Sequence, residues 1–215
     1  MKIKAVCFDM DGVLVDTMPH HVEAWLHSFK EKGFHHEEIE FYLREGMPGK
    51  QTIQDIFDTF EVNAAEQEIE DIYKEKRKYF KKHAKYTFIK ETISLLHYLK
   101  ERNIPCCLVT GSRREFVDEV LKTLSFEFHY VISGDDVNHG KPLPEPYEKA
   151  MSHFSYNPSE WLVIENAPLG IESAKKAGAL CLAVETTLSE KYLEAADVIV
   201  KPSMLLQIVK SLINE

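Results

Sequence analysis

Cysteine and long apolar segments are both scarce in this 215-residue chain, and each scarcity argues against a class of protein. The four cysteines lie within apolar stretches and form no C-x-x-C pair, so neither a disulfide framework nor a zinc site is indicated. No apolar run approaches the roughly 20 residues that a membrane-spanning helix requires. The sequence also lacks internal repeats and low-complexity tracts, which is typical of an ordinary globular protein.

Positive charge is in deficit, with 26 lysine and arginine residues against 35 aspartate and glutamate residues and a net charge of −9. Duplex DNA and anionic membranes both select a basic surface, so we expect no nucleic acid and no membrane as a partner. The first four residues lead directly into a predicted core strand and leave no room for a signal sequence, so we expect a cytoplasmic protein. With 44% apolar residues the chain can bury a sizeable core, and we expect a monomer or a weak homo-oligomer.

Short apolar segments alternate with amphipathic segments of helical period through most of the chain. The first, Ile3 to Phe8, is almost continuously apolar, as expected for a strand buried on both faces of a parallel sheet. Further strands are predicted at 104–109, 130–132, 161–164, 179–184 and 196–200, and helices at 93–102, 115–124, 146–154, 170–177 and 204–213. This alternation predicts a doubly wound, parallel α/β sheet.

Residues 17–86 interrupt the alternation, because they are heavily charged, helical by pattern and without a convincing strand. We therefore predict an inserted all-α domain over 17–86, and an α/β core formed by residues 1–16 and 87–215. Within the insert, a long helix is predicted over 66–82 with Ile69, Ile72, Tyr73 and Phe80 toward a core. Its lysine-rich run over 74–82 is interpreted as a solvated helix face.

Two carboxylates follow the first predicted strand. Asp9 and Asp11 lie two positions apart, so their side chains point the same way in an extended segment, and Gly12 permits a sharp turn after them. Like charges this close need a neutralising ion or a shared proton. A hard, oxygen-liganded ion such as Mg²⁺ fits, and it leaves one carboxylate free to attack phosphorus. For this segment alone, a strand end with two solvated acids is the alternative.

Three later segments place polar residues at the ends of other predicted strands. The segment Thr110-Gly111-Ser112 offers a hydroxyl and backbone N–H groups to a phosphoryl oxygen. Lys141 is a compact positive charge that could neutralise a nucleophile and a phosphoryl group together, and Glu165 and Asn166 supply oxygen ligands. Each could singly be a strand end, a surface residue or a turn. Because parallel strands bring their carboxyl ends to one edge, the set predicts a metal-assisted phosphoryl-transfer site.

These segments, at 9–17, 109–112, 140–142 and 163–171, resemble the four motifs of the haloacid dehalogenase superfamily. The resemblance covers essentially the whole chain. The insert directly after the first motif is similar to the helical cap of the branch that contains β-phosphoglucomutase and related phosphatases. The resemblance implies an α/β core with a helical cap, Mg²⁺ as cofactor and a phosphorylated metabolite as partner.

The resemblance also implies residue roles. Asp9 is the nucleophile, and Asp11 is both the general acid/base and a Mg²⁺ ligand through its backbone carbonyl. The phosphoryl group is bound by Thr110, Gly111, Ser112 and Lys141. The metal is bound by Glu165 and Asn166 together with Asp9. A carboxylate at position 11 favours phosphoryl transfer over dehalogenation, because a leaving oxygen needs an acid and a halide does not.

One position of the fourth motif departs from the family, which usually has aspartate where this chain has Asn166. The amide oxygen can still coordinate Mg²⁺, but the site loses one negative charge, so weaker metal affinity is expected rather than loss of function. The same departure keeps open a non-catalytic protein that binds a phosphometabolite.

Residues of the insert bear on the substrate. His21 and Trp25 resemble the β-phosphoglucomutase pattern, in which the histidine contacts the acid/base aspartate and the substrate. Where that mutase has a lysine and an arginine for the second phosphate, this chain has Glu45 and Gly49, which weakens the mutase interpretation. Lys50 or Arg44 is a candidate replacement for the missing cations. Some relatives with a similar glutamate look like inorganic pyrophosphatases, although Glu45 could equally be an exposed helix-end residue.

The sequence thus predicts a Mg²⁺-dependent phosphohydrolase that acts on a small phosphate compound, either pyrophosphate or a sugar phosphate, through an aspartyl-phosphate. The first alternative is β-phosphoglucomutase, which interconverts β-glucose 1-phosphate and glucose 6-phosphate. The second is the non-catalytic binding protein.

Overall fold

A computed structural model describes residues 2–214, which form six β-strands and nine α-helices. The strands are short and mostly apolar: β1 Ala5–Phe8, β2 Cys106–Val109, β3 Tyr130–Ile132, β4 Trp161–Glu165, β5 Leu180–Val184 and β6 Val198–Val200. Every residue of β1, β2 and β4 is buried, which explains why their sequences are apolar on both faces.

The six strands form one parallel sheet in the order β3-β2-β1-β4-β5-β6. The chain runs outward from β1 to β3 and then returns to the other side of β1 to begin β4, so the strand order reverses at β1. Ligands of such sheets bind at the carboxyl ends of the strands beside this switch point. Asp9 directly follows β1, and Glu165 ends β4.

The helices occupy two stretches of the chain. Four follow β1 as a group: α1 Met18–Lys30, α2 Glu38–Tyr42, α3 Gly49–Thr59 and α4 Glu66–His83. The others alternate with strands: α5 Lys90–Glu101, α6 Arg114–Thr123, α7 Glu145–Met151, α8 Pro168–Lys176 and α9 Leu205–Asn214. The predicted doubly wound α/β fold with an all-helical insert is confirmed. The domain limits at 16/17 and 86/87 remain a prediction.

Apolar side chains form three clusters. Alternate residues of β1 point to opposite faces of the sheet, with Val6 and Phe8 in one cluster and Ala5 and Cys7 in another. A third cluster, built around Trp25 and Phe29, holds the inserted helices together, with α1 packed along α4. Within residues 2–214, no helix combines the length and the apolar character needed to cross a membrane.

Candidate active site

Asp9 lies where the central strand ends, and its position is fixed from two sides. Its backbone N–H donates to the carbonyl of Ile164 on the neighbouring strand, at 3.0 Å. Its side chain is buried, and Oδ1 accepts a hydrogen bond from Lys141 Nζ at 2.5 Å. The sheet therefore holds a carboxylate oxygen of Asp9 at the switch point, in contact with the Lys141 ammonium.

Lys141 directs its three ammonium protons to three acceptors. Besides Asp9, Nζ donates to Glu165 Oε1 at 2.7 Å and to the carbonyl of Val109 at 3.2 Å. Burial lowers the pKa of Lys141, but the two carboxylates outweigh burial and raise the pKa above its ordinary value. Lys141 is therefore positively charged near neutral pH.

Glu165 uses both carboxylate oxygens. Oε1 accepts from Lys141 and from the hydroxyl of Tyr147, and Oε2 accepts from the backbone N–H of Asn166 at 3.0 Å. A Cβ at Gly170, in the first turn of α8, would collide with this carboxylate, so only glycine fits there. Tyr147 was not singled out from the sequence, since a tyrosine on a short amphipathic helix resembles any other core residue.

Asp11 is surrounded by hydrogen-bond donors. Oδ1 accepts from Thr17 Oγ1 at 2.5 Å and faces His21 Nε2 at 3.2 Å. Oδ2 accepts from Ser112 Oγ at 2.8 Å and from Thr110 Oγ1 at 3.3 Å. Burial acts to raise the pKa of Asp11, but His21 and these hydroxyls lower it well below its usual range. The side chain is therefore held as a carboxylate.

Lys76 reaches the site from α4 and corrects the interpretation of the 74–82 run as a solvated face. Its side chain is buried, and Nζ donates to His21 Nδ1 at 2.8 Å while lying 4.8 Å from the centre of the Trp25 ring. Because Nδ1 accepts this bond, Nε2 carries the proton that faces Asp11. The sequence held a signal that was missed: Lys76 lies midway between Ile72 and Phe80, on the apolar face of α4.

Replacing Lys76 with methionine should increase stability near neutral pH while slowing turnover. Burial lowers the pKa of Lys76 to about 8 from an ordinary value of 10.5, and Asp11 only partly offsets this. Between about pH 8 and pH 10.5 the unfolded chain therefore binds more protons than the folded protein does. The free-energy cost of burying the charged lysine is thus complete below about pH 8 and vanishes above pH 10.5. The stability advantage of the variant should shrink by about 3 kcal/mol between pH 7 and 11.

Denaturant unfolding of both proteins across that pH range measures this difference. Lys74→Met, an exposed lysine on the same helix, is the matched control and should show no such pH dependence. An advantage that stays constant with pH would contradict the assignment of a buried, charged Lys76.

Asn166 and Glu45 meet beside Asp9, where α8 is about to begin. Asn166 Nδ2 donates to Glu45 Oε1 at 2.8 Å and to Thr187 Oγ1 at 3.1 Å. This leaves Asn166 Oδ1 and Glu45 Oε2 buried and without a hydrogen-bond partner. Glu45 is only 7% exposed, so its interpretation as an exposed helix-end residue is wrong. A Cβ at Gly12, whose φ is +80°, would collide with the Asn166 amide.

The donor set at this corner fits a divalent cation. Four carboxylates are buried here and act on one another electrostatically: Asp9, Asp11, Glu45 and Glu165. Burial and the neighbouring carboxylates raise the pKa of Glu45, and they raise that of Asp9 despite the opposing charge of Lys141, so negative charge is in excess. Across residues 2–214, no three His, Cys, Asp or Glu side chains converge to hold a metal by themselves. The oxygens that fit Mg²⁺ include the unpartnered Asn166 Oδ1.

A cavity of about 570 Å³ opens from this site between the inserted helices and the carboxyl edge of the sheet. Of the residues predicted to bind substrate, His21, Trp25, Glu45, Gly111 and Ser112 line it. Lys50 does not, because its ammonium is exposed and pairs with Glu70, so its substrate role stays a prediction without support from this geometry.

The loop after α2 closes one side of the cavity, and Gly111 makes this possible. A Cβ at Gly111 would lie 2.6 Å from the Gly46 carbonyl oxygen, so only glycine permits the two backbones to approach this closely. The contact brings the loop that carries Glu45 down onto the predicted phosphoryl-binding segment.

Comparison with known proteins gives consistent similarities. The haloacid dehalogenase-like hydrolase family matches residues 6–184. A validoxylamine A 7'-phosphate phosphatase from Streptomyces hygroscopicus subsp. limoneus is 31% identical over 209 residues, which cover 92% of this chain and 93% of that protein. Pyrophosphatase PpaX from Bacillus mycoides (strain KBAB4) is 29% identical over 204 residues, covering 91% of this chain and 90% of that protein. A solved structure, a candidate β-phosphoglucomutase from Bacteroides vulgatus, superposes with a TM-score of 0.88 at 33% identity, covering 98% of this chain and 89% of that chain.

Proposed function

This chain belongs to the haloacid dehalogenase-like hydrolase family, and on that premise we propose that it is a Mg²⁺-dependent phosphohydrolase that forms an aspartyl-phosphate on Asp9. One observation carries the proposal: the buried ammonium of Lys141 bridges Asp9 and Glu165 at the edge where Asp11 also lies. A capped strand end has no need of such a bridge. A nucleophile that must approach an anionic phosphoryl group does need it, because the cation offsets the repulsion between them.

The reaction divides into two displacements. In the first, an Asp9 oxygen attacks phosphorus, the bond from phosphorus to the leaving oxygen breaks, and Asp11 gives that oxygen a proton. In the second, Asp11 takes a proton from water, the water oxygen attacks phosphorus, and the bond to Asp9 breaks to release phosphate. Because Asp11 begins as a carboxylate, the proton that it gives to the leaving oxygen must first pass to it from a substrate that binds as its monoanion.

The surrounding residues have supporting roles. Lys141 neutralises the oxygens of nucleophile and phosphoryl group, while Thr110 and Ser112 offer hydroxyls. Asp9, Asn166 Oδ1 and the backbone carbonyl of Asp11 would hold a Mg²⁺ ion, which would supply electrostatic stabilisation of the phosphoryl charge. A direct bond from Glu165 to the metal remains a prediction, since both of its oxygens already accept hydrogen bonds.

Two substrate classes fit the cavity for different reasons. Its volume of about 570 Å³ and its aromatic walls, which include Trp25, Phe41 and Tyr73, suit an organic leaving group such as a sugar. Glu45, buried beside the metal-binding amide, instead suits a metal-chelated substrate such as pyrophosphate. We propose that the substrate is one of these two.

A phosphate-release screen of sugar phosphates and pyrophosphate, with and without Mg²⁺, tests the proposal. Release from at least one compound only when Mg²⁺ is present is the expected result. Undetectable turnover throughout, with tight ligand binding that survives Asp9→Asn, would support the non-catalytic binding protein instead. Conversion of β-glucose 1-phosphate to glucose 6-phosphate without phosphate release would support the mutase. The mutase is disfavoured because Glu45 and Gly49 replace its two predicted cations.

Replacing Glu45 with alanine should weaken Mg²⁺ activation. The change removes an acceptor from Asn166 Nδ2 and one negative charge from the site, so the amide oxygen is less firmly oriented. Loss of one oriented outer partner of a metal ligand typically costs about 10- to 100-fold in metal affinity. The Mg²⁺ concentration that gives half-maximal phosphate release should rise by about tenfold.

Glu38→Ala, which changes an exposed glutamate at the first position of α2, is the matched control and should leave the Mg²⁺ dependence unchanged. An unchanged Mg²⁺ requirement in Glu45→Ala would refute the assignment of Glu45 to the metal corner. If the variant instead loses activity on pyrophosphate alone, the role of Glu45 lies with the substrate.

A further inference from the structure

Tyr147 is a fully buried residue of α7 that contacts the active site from outside the cavity. Its ring belongs to the apolar cluster on the face of the sheet that includes Cys7, and it does not line the cavity. Its hydroxyl nevertheless donates to Glu165 Oε1 at 2.6 Å. Burial, reinforced by the nearby carboxylates, raises the pKa of Tyr147 well above its usual value, so the hydroxyl keeps its proton and remains a donor.

The hydroxyl begins a continuous chain of contacts to the nucleophile. Glu165 Oε1 accepts from Tyr147 and also from Lys141 Nζ, at 2.7 Å, and Lys141 Nζ lies 2.5 Å from Asp9 Oδ1. The ammonium also lies 5.0 Å from the centre of the Tyr147 ring, within the range of a cation–π contact. Tyr147 thus contacts Glu165 with its hydroxyl and Lys141 with its ring face.

A buried carboxylate with few donors can rotate toward any stronger charge nearby. Oε2 of Glu165 has one donor, the backbone N–H of Asn166, so the orientation of the group depends on what is bound to Oε1. Lys141 is a shared partner, because it also donates to Asp9 and its charge must serve the phosphoryl group. The Tyr147 hydroxyl is the second donor to Oε1 and is carried on a ring locked in the core.

We propose that Tyr147 is a positioning residue, whose hydroxyl holds Glu165 against Lys141 and so keeps the ammonium on the Asp9 nucleophile. The inference rests on the proposed phosphohydrolase function. Tyr147 touches neither substrate nor the reacting atoms, and it acts through Glu165. Its removal should slow phosphoryl transfer while leaving the recognition of the leaving group intact.

Tyr147→Phe tests the inference, because it removes the hydroxyl and keeps the ring. We expect kcat to fall about tenfold, the size of effect typical for one hydrogen bond to a charged group, while KM changes less than about twofold. Orthovanadate, a phosphate-like anion that needs Lys141, should bind about tenfold more weakly by calorimetry. This binding measurement requires no turnover.

Two further proteins sharpen the test. Tyr98→Phe is the matched control, since Tyr98 is also buried and its hydroxyl has no hydrogen-bond partner, and kcat and vanadate binding should not change. The double variant with Glu165→Gln should lose no more activity than Glu165→Gln alone, because the hydroxyl acts through that carboxylate. If the losses in kcat from the two substitutions multiply in the double variant, Tyr147 does not act through Glu165 and the inference is overturned.

The remaining outcomes separate this inference from the proposed function. An active wild-type enzyme with unchanged kcat in Tyr147→Phe overturns the inference and leaves the function standing. If the wild type hydrolyses nothing but Tyr147→Phe still weakens vanadate binding, the function fails and the positioning role holds. A Tyr147→Phe protein that does not fold would show that the hydroxyl serves the fold, and would also overturn the inference.

Discussion

Replacing Asp9 with asparagine is expected to abolish phosphate release, lowering kcat by about 10⁴-fold or more. The amide keeps the shape of the side chain and can still accept a hydrogen bond from Lys141, but it is too weak a nucleophile to attack phosphorus. Acid quenching of the wild type during turnover should yield an Asp9-containing peptide heavier by one phosphoryl group. The same peptide from the variant should carry none.

Asp118→Asn is the matched control, because it makes the same chemical change at an exposed position of α6 that does not line the cavity. It should keep wild-type activity. The Asp9→Asn protein should also stay folded, since Lys141 retains Glu165 as a partner and an excess of buried negative charge is relieved. A folded Asp9→Asn protein that still turns over substrate would end the aspartyl-phosphate mechanism.

Replacing Asp11 with asparagine is expected to lower kcat by about 10²- to 10⁴-fold for alkyl phosphates, the contribution typical of a positioned acid/base group. The effect on the first step should be much smaller for p-nitrophenyl phosphate, because that leaving group departs without a proton. The second step still lacks its base. The variant should therefore release about one equivalent of p-nitrophenol in a rapid burst and then stall as the phosphoenzyme.

The burst distinguishes Asp11 from a residue that only shapes the site. Ser112→Ala removes one donor to Asp11 but leaves its carboxylate, so it should slow both leaving groups by a similar, smaller factor and give no burst. Equal losses for both leaving groups in Asp11→Asn, without a burst, would show that Asp11 is not the acid/base.

The sequence itself determined the fold class and the edge of the sheet at which the site lies. Strands buried on both faces leave continuous apolar runs, and each run ends abruptly at a polar residue, so the position of Asp9 or Thr110 after a strand can be read directly from the chain. Because the strands pair in parallel, their carboxyl ends then lie at one edge of the sheet, and no tertiary contact is needed to predict this. The motif spacing and the helical insert follow from the same local patterns.

Only the tertiary structure decided how distant side chains are paired. Lys76 was interpreted as part of a solvated face and Lys50 as a substrate contact, yet Lys76 is buried against His21 and Lys50 pairs with Glu70 in solvent. Glu45 and Tyr147 acquire their roles from partners more than 15 residues away, Asn166 and Glu165. Local periodicity indicates which face of a helix or strand is apolar, but it does not indicate which element packs against that face. That depends on how the inserted helices seat over the sheet.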